Sequence, residues 1–154
     1  MEQPEYNMLK RERVEVEYAP LYRKHGLGLT VFSPLRRGIL TGKYNSGVIP
    51  PDSRAGKEGS WFRDEIVNGA DMLARVALLA PIAERLGCTQ GQLAIAWTIR
   101  NEYVSNAIVG ATNVEQMKEN LAAVNIVPKL SREVLDEIDD VLGNKPTEGP
   151  WRFS

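Results

Sequence analysis

The sequence predicts an α/β fold in which short parallel strands alternate with amphipathic helices. Two apolar, β-favouring runs stand at residues 28–32 and 107–109, and helical patterns of apolar residues precede and follow them. Strands that alternate with helices usually pair in parallel and are joined by right-handed crossovers. The 154 residues are 43% hydrophobic and 25% charged, with a net charge of -1. This composition is typical of a globular protein, so we expect one domain or part of one.

The first strand is bounded by residues that break regular structure. Gly28 opens the run and Pro34 ends it. Before the strand, residues 17–25 have the pattern of a helix that Gly26 terminates. His25, the only histidine, lies in the last turn of that helix, where the helix dipole favours positive charge. We therefore interpret His25 as a helix-capping residue rather than an acid–base group.

A further strand is predicted before this helix and strand, and a long loop is predicted after them. Residues 3–8 could form the end of a third strand, whereas residues 33–69 are rich in Gly, Pro and Ser and predict a loop. Loops of this length are usually functional or disordered. From residue 33 to residue 57 the segment carries a net charge of +4, which fits either a solvated surface or an anion site. Its basic residues are Arg36, Arg37, Lys43, Arg54 and Lys57.

Two helices are predicted before the second strand. Apolar residues at spacings of three and four indicate a helix over residues 72–86, which Pro81 should kink and Gly87 should end. Thr89 and Gln92 then have the spacing of a capping box. The helix that they open is apolar nearly all round, so we expect it to be buried.

The second strand leads into a tight turn and two more helices. The turn at residues 110–113 is followed by apolar residues at helical spacing. A last amphipathic helix should begin near Ser131 and end at Gly143. Residues 147–154 have no readable pattern and predict an irregular tail. The apolar residues after the turn are Val114, Met117, Leu121 and Val124.

Composition and motifs disfavour several classes of protein. The longest apolar stretches fall well short of the roughly 20 residues that span a bilayer, so no membrane insertion is expected. A near-neutral net charge argues against a broad nucleic-acid surface. Cys88 is the only cysteine, no Cys/His cluster has metal-ligand spacing, and residues 38–44 have too few residues between their glycines for a P-loop. The first residues lack a signal-peptide pattern, which makes the cytoplasm the expected compartment.

Two anion-binding features follow two successive predicted strands. The basic loop comes after the first strand, and a Gly-Ala-Thr-Asn turn at a helix N-terminus comes after the second. In (β/α)8 barrels, phosphate sites commonly use the loops after the last two strands together with a helix N-terminus. We therefore expect these two features to converge on one polyanion. A complete barrel needs eight strands and about 250 residues, so this chain would supply a little over half of one.

Five ordered blocks of sequence, at residues 2–7, 32–44, 50–54, 92–97 and 110–120, look like consecutive segments of one known family. They resemble the potassium channel beta subunit branch of the aldo-keto reductases. The match runs nearly from end to end, and the blocks together are far more specific than any one of them. The resemblance implies that residues 1–146 form the last three βα units and the C-terminal helix of a (β/α)8 barrel.

The resemblance also implies an NADP(H) site. Gln3 would hold the nicotinamide carboxamide, and Phe32 would stack on the nicotinamide ring. The loop after the first strand would line the pyrophosphate, and Arg36 would add charge at a position where the channel subunits have a small residue. The other loop residues implied in this role are Ser33, Pro34, Leu35 and Lys43, with Arg54 as a clamp.

The second turn would hold the adenosine half of the cofactor. Thr112 and Gln116, after Gly110 of the turn, would meet the 2'-phosphate. Glu119 and Asn120 would bind the adenine, although without the resemblance they would be interpreted as an exposed helix face.

Catalytic residues are not expected in this chain. Aldo-keto reductases use a tyrosine acid supported by Asp, Lys and usually His on earlier strands of the barrel, and none of those motifs is present. The chain would thus be part of an NADP-dependent reductase of aldehydes or ketones, acting on NADPH and a small carbonyl substrate. The alternatives are an auxiliary potassium channel subunit that senses nicotinamide redox state, with a homo-oligomer or the channel as its partner, or a remnant. The substrate stays open.

Overall fold

The computed structural model describes residues 1–57 and 61–147. Most of the predicted irregular tail, residues 148–154, lies outside the described residues. Two strands, β1 (Leu29–Phe32) and β2 (Val104–Ile108), pair in parallel. These strands are joined through helices, which confirms the predicted α/β class.

A third extended segment lies along the other edge of β1. Glu2 forms a parallel bridge with Leu29 and Glu5 forms one with Phe32. The Thr30 amide donates a hydrogen bond to the Glu2 carbonyl at 3.0 Å. The predicted third strand is therefore present as a short parallel segment.

The helices cover one face of this small sheet, and most lie where they were predicted. The segment 33–69 was predicted to be a loop, but it contains a short helix, Arg63–Val67, and a 3₁₀ turn. A π-helical turn, Arg13–Glu17, comes before the first α-helix, and 3₁₀ turns occur at Arg36–Thr41, Ala123–Asn125 and Val127–Lys129. Within the described residues the α-helices are α1 (Ala19–His25), α2 (Arg63–Val67), α3 (Ala70–Ala77), α4 (Leu79–Leu86), α5 (Gln90–Ile99), α6 (Val114–Ala122) and α7 (Arg132–Leu142).

The predicted helix ends agree well with the structure where a specific cap sets them. Gly26 ends α1 in the left-handed region, with φ 62°, and Gly143 ends α7 in the same way, with φ 60°. At the start of α5, the Thr89 hydroxyl accepts a hydrogen bond from the Gln92 amide at 3.1 Å, and the Gln92 side chain accepts one from the Thr89 amide at 3.0 Å. The capping box is confirmed, and so is the burial of α5.

The predicted helix over residues 72–86 is divided in two. The chain leaves α3 at Ala77 and starts α4 at Leu79, so the break lies ahead of Pro81. Pro81 has no amide hydrogen to give to the carbonyl four residues earlier, and its ring crowds that carbonyl. The residue between the two helices, Leu78, keeps helical backbone angles, φ -68° and ψ -13°, so the helix is interrupted for one residue where a kink was predicted.

One face of the sheet is packed and the other is bare. Leu29 and Val31 are fully buried against the helices, whereas Phe32 and its register partner Ile108 are 38% and 46% exposed. β2 also begins earlier than predicted, at Val104, because pairing with β1 includes polar residues that carry no strand signal. Parallel sheets are normally covered on both faces, so this sheet has the character of part of a larger one.

The apolar side of α6 is likewise uncovered. The predicted helix is present, but Val114 and Leu121 are 68% and 60% exposed among the described residues. Met117 and Val124, on the same side, are also exposed. The structure therefore shows an apolar helix face beside the bare strand β2, which is consistent with a partial barrel.

Candidate cofactor site

A cavity of about 660 Å³ lies beyond the carboxyl ends of β1 and β2. The loop after β1 forms one wall, and the turn after β2 together with α6 forms the other. The two anion-binding features therefore meet as expected. All the predicted cofactor residues except Gln3 and Arg36 line this cavity: Phe32, Ser33, Pro34, Leu35, Lys43, Arg54, Gly110, Thr112, Gln116, Glu119 and Asn120.

The loop after β1 has an unusual backbone. Ser33, Arg36 and Arg37 have φ values of 55°, 46° and 57°, and they are the non-glycine residues with positive φ in the described chain. Each such residue costs on the order of 1–3 kcal/mol unless its surroundings hold it. The buried Asn7 side chain donates a hydrogen bond to the Ser33 carbonyl at 3.0 Å and so fixes the start of the loop. Strain of this kind clusters at functional sites.

Two exposed cations, Lys43 and Arg54, face the cavity from this loop. In the described residues neither takes part in an ion pair. Gly38 has φ 99°, and a Cβ there would lie at an ordinary van der Waals distance, 3.5 Å, from Lys43 Cε, so the Lys43 side chain runs close to the backbone of this loop. Both cations are thus available to an anion in the cavity.

The opposite wall is held by a hydrogen-bonded turn. The Gln116 side-chain oxygen accepts hydrogen bonds from both the Thr112 amide and the Thr112 hydroxyl, each at 2.9 Å. The Asn113 side chain caps α6 by accepting a hydrogen bond from the Gln116 amide at 2.9 Å. Thr112 and Gln116 are therefore placed together at the N-terminus of α6, as predicted.

The far end of this wall is tied to α5. The Thr89 hydroxyl donates a hydrogen bond to the Glu119 carboxylate at 2.7 Å, and the Gln92 side chain donates one to the Glu119 carbonyl at 3.1 Å. Asn120 donates a long hydrogen bond, 3.4 Å, to the Gly110 carbonyl. The capping box of α5 thereby also positions Glu119, which remains exposed, whereas Asn120 is half-buried.

Gln3 and Arg36 are the predicted site residues that do not line the cavity. Gln3 is exposed on the segment beside β1. Arg36 donates hydrogen bonds to Glu5 at 2.7 Å and to Glu65 at 2.6 Å and 3.0 Å. Burial alone would lower the pKa of Arg36, but the hydrogen bonds to Glu65 and the charge of Glu5 raise it, so Arg36 stays charged. Arg36 is therefore a partly buried, paired side chain rather than a solvated one.

Several lining residues were not predicted. Most contribute backbone or small side chains, which carry little sequence signal; Arg37 is the exception, because it adds a charge. Its neighbour Arg36 has the same chemistry, so the sequence alone could not distinguish their orientations. The lining residues that were missed are Arg37, Gly38, Thr41, Gly91, Ile108, Val109 and Ala111.

The lining offers anion-binding groups but little proton-transfer chemistry. In the part of the cavity that the structure describes, no tyrosine or histidine is present. Tyr6 lies elsewhere, and burial together with the charge of Glu15 raises its pKa, so it stays neutral. Over the ranges 1–57 and 61–147, no cluster of three metal-ligating side chains occurs. Within the same ranges, no helix is long and apolar enough to cross a membrane.

Comparison with known proteins agrees with this architecture. The model of the Aldo/keto reductase family matches residues 1–142, and the chain belongs to that family. It is 50% identical over 148 residues to a protein of Arabidopsis thaliana named probable voltage-gated potassium channel subunit beta. The match covers 95% of this chain and 44% of that relative. The chain thus spans less than half the length of the relative.

Proposed function

We propose that the cavity binds NADP(H) and that the chain is the cofactor-holding part of an aldo-keto reductase. The observation that carries this proposal is the meeting of Lys43 and Arg54 with the Thr112–Gln116 turn in one cavity. A volume of about 660 Å³ lies within the usual range of ligand pockets, roughly 300–1,000 Å³. Cations on one wall and a helix N-terminus on the other match the donor set that a dinucleotide with three phosphates requires.

Each wall would hold a different part of the cofactor. Lys43 and Arg54 would donate to the pyrophosphate, and Thr112 with Gln116 would meet the 2'-phosphate. Phe32, exposed at the end of β1, would stack on the nicotinamide, with Gln3 on the neighbouring segment directed to its carboxamide. When bound, the dinucleotide supplies the hydride for reduction of a carbonyl group.

The described residues do not supply a proton donor at the cavity. Reduction of a carbonyl also needs a positioned acid, which typically contributes 10²–10⁴-fold to the rate. We therefore propose that the acid, and the pocket for a small aldehyde or ketone, belong to βα units other than those described. Such a protein would act in the cytoplasm.

A nucleotide titration tests this proposal. If Thr112 and Gln116 meet the 2'-phosphate, NADPH should bind more tightly than NADH, because NADH cannot make those hydrogen bonds. Thr112→Val should reduce this preference, whereas Thr30→Val, a matched change outside the cavity, should not. Fluorescence titration measures the dissociation constants, and equal values for the two nucleotides in the unmodified chain would remove the 2'-phosphate assignment.

A second candidate function is an auxiliary subunit of a potassium channel. The 50% identity to the Arabidopsis relative favours it, since that relative carries the name of a channel beta subunit. In this role NADP(H) binding would report redox state, and the uncovered face of α6 could join subunits. The test is whether the chain associates with a potassium channel in detergent and whether excess NADP⁺ or NADPH abolishes this association. That result would favour a channel subunit over a protein that acts only as a reductase.

A further inference from the structure

The two adjacent arginines of the cofactor loop have different surroundings. Arg36 points to the carboxylates of Glu5 and Glu65 and does not line the cavity. Arg37 lines the cavity, although it too is only 15% exposed. The pair is therefore divided between a structural contact and the cofactor wall.

Arg36 makes the short contacts to the two carboxylates near Arg37, and Arg37 pairs with them only at longer range. Arg36 donates to Glu5 at 2.7 Å and to one oxygen of Glu65 at 2.6 Å. The nearest nitrogen of Arg37 is 3.8 Å from an oxygen of each carboxylate, which is beyond hydrogen-bond distance. Among the described residues no hydrogen bond from Arg37 occurs. Its in-plane donors are therefore not committed to either carboxylate.

An aromatic ring fixes the orientation of Arg37. The Trp61 ring centroid lies 4.6 Å from the Arg37 guanidinium carbon. Stacking on tryptophan occupies the flat face of a guanidinium and leaves the N–H groups at its edge available. The backbone at Arg37 is left-handed, with φ 57°.

From this arrangement we infer that Arg37 is a third cationic contact to the pyrophosphate of the dinucleotide, beside Lys43 and Arg54. This inference rests on the proposed NADP(H) site and specifies it further. Arg36 is a positioning residue: by holding Glu5 and Glu65, it keeps both carboxylates from capturing Arg37. Because Arg37 is largely removed from water, its contact with an anion is stronger than that of an exposed cation.

Replacement of Arg37 tests the inference with two ligands. The ligands are NADPH and adenosine 2'-monophosphate, which has the 2'-phosphate end but neither phosphate of the pyrophosphate. We expect Arg37→Met to weaken NADPH binding about tenfold, which corresponds to about 1.4 kcal/mol, and to leave the binding of adenosine 2'-monophosphate unchanged. Arg37→Gly removes the side chain at a φ that glycine adopts without strain, so it separates loss of contact from failure to fold. Arg132→Met, an exposed position on α7, is the matched control for loss of one charge.

Each outcome has a defined meaning. Weaker NADPH binding in both Arg37 variants, with unchanged binding of adenosine 2'-monophosphate and unchanged affinity in Arg132→Met, supports the inference. Equal weakening of both ligands indicates a structural role for Arg37 and overturns it, as does unchanged NADPH affinity. If the unmodified full chain binds neither ligand, the proposed function itself fails and the inference fails with it. The dependence of affinity on salt should also become shallower without Arg37, because fewer charges contact the phosphates.

Discussion

Replacing Arg11 with methionine should be among the most destabilising single changes in this chain. Arg11 is a buried cation that donates hydrogen bonds to Glu15 at 2.9 Å and to Asp139 at 2.6 Å. Its guanidinium also lies 5.0 Å from the ring centre of the buried Trp97. One side chain thus connects the segment that precedes α1 to both α5 and α7.

The expected loss follows from burial. Removing one partner of a buried ion pair typically costs about 3–5 kcal/mol, because the remaining charge is left without compensation. The Glu15 and Asp139 side chains keep 23% and 12% exposure, and Asp139 retains Lys145 at 2.8 Å. We therefore expect the lower end, about 3 kcal/mol. For a chain of this size that corresponds to a Tm lower by about 6–12 °C.

Arg13→Met is a closely matched control. Arg13 also pairs with a glutamate four residues on, Glu17, but the two side chains are 60% and 53% exposed. Exposed pairs of this kind contribute about 0.5 kcal/mol or less. Urea unfolding followed by tryptophan fluorescence, at one fixed chain concentration, measures both changes. Similar losses in the two variants, or no loss in Arg11→Met, would refute the argument from burial.

Three further outcomes are expected. Burial by itself raises the pKa of Asp139, but hydrogen bonds from Lys145 and Arg11 lower the pKa below 3.8 overall. A carboxyl group whose pKa falls on folding stabilises the fold at pH values above its unfolded pKa. This stabilisation is lost as the pH falls through the folded pKa. The stability lost in Asp139→Asn, measured by urea midpoints, should therefore shrink below about pH 3.8. Lys43→Met and Arg54→Met should each weaken NADPH binding about tenfold or more, since a charge-assisted contact contributes about 1.5–3 kcal/mol; unaltered affinity in both would contradict the phosphate clamp. The purified chain should self-associate through its uncovered apolar surface, and Leu121→Lys should shift its sedimentation toward monomer; a monomeric unmodified chain that binds no apolar dye would exclude this.

Local signals predicted the elements that local chemistry controls. The capping box of Thr89 and the left-handed glycines Gly26 and Gly143 set helix ends through contacts within a few residues, so their positions could be predicted. The start of β2 could not, because Asn106 joins the strand through its partner Thr30 on β1, and Ser105 is an extra residue at a register shift there. Tertiary pairing overrides propensity at such positions.

The candidate site shows the same division. The family blocks predicted most of the cavity wall, since each block contributes a contiguous loop. The separate orientations of Arg36 and Arg37 depend on contacts with Glu5, Glu65 and Trp61. Glu5 precedes the loop in the sequence, and the other two follow it. No spacing rule within the loop contains that information.

The contact between Arg11 and Asp139 also bears on the order in which the chain can acquire its structure. The two residues are 128 positions apart, and Asn144 reaches back to the Met8 carbonyl over 136 positions. At about 5–20 residues per second, a ribosome needs roughly 6–26 seconds to synthesise the residues between Arg11 and Asp139. Until α7 emerges, the Arg11 guanidinium lacks its partner Asp139, and the segment that precedes α1 lacks its last anchor. Residues near Arg11 can therefore complete their packing only after nearly the whole described chain has been synthesised. During this interval their apolar surface is exposed, and chaperones would bind it most readily.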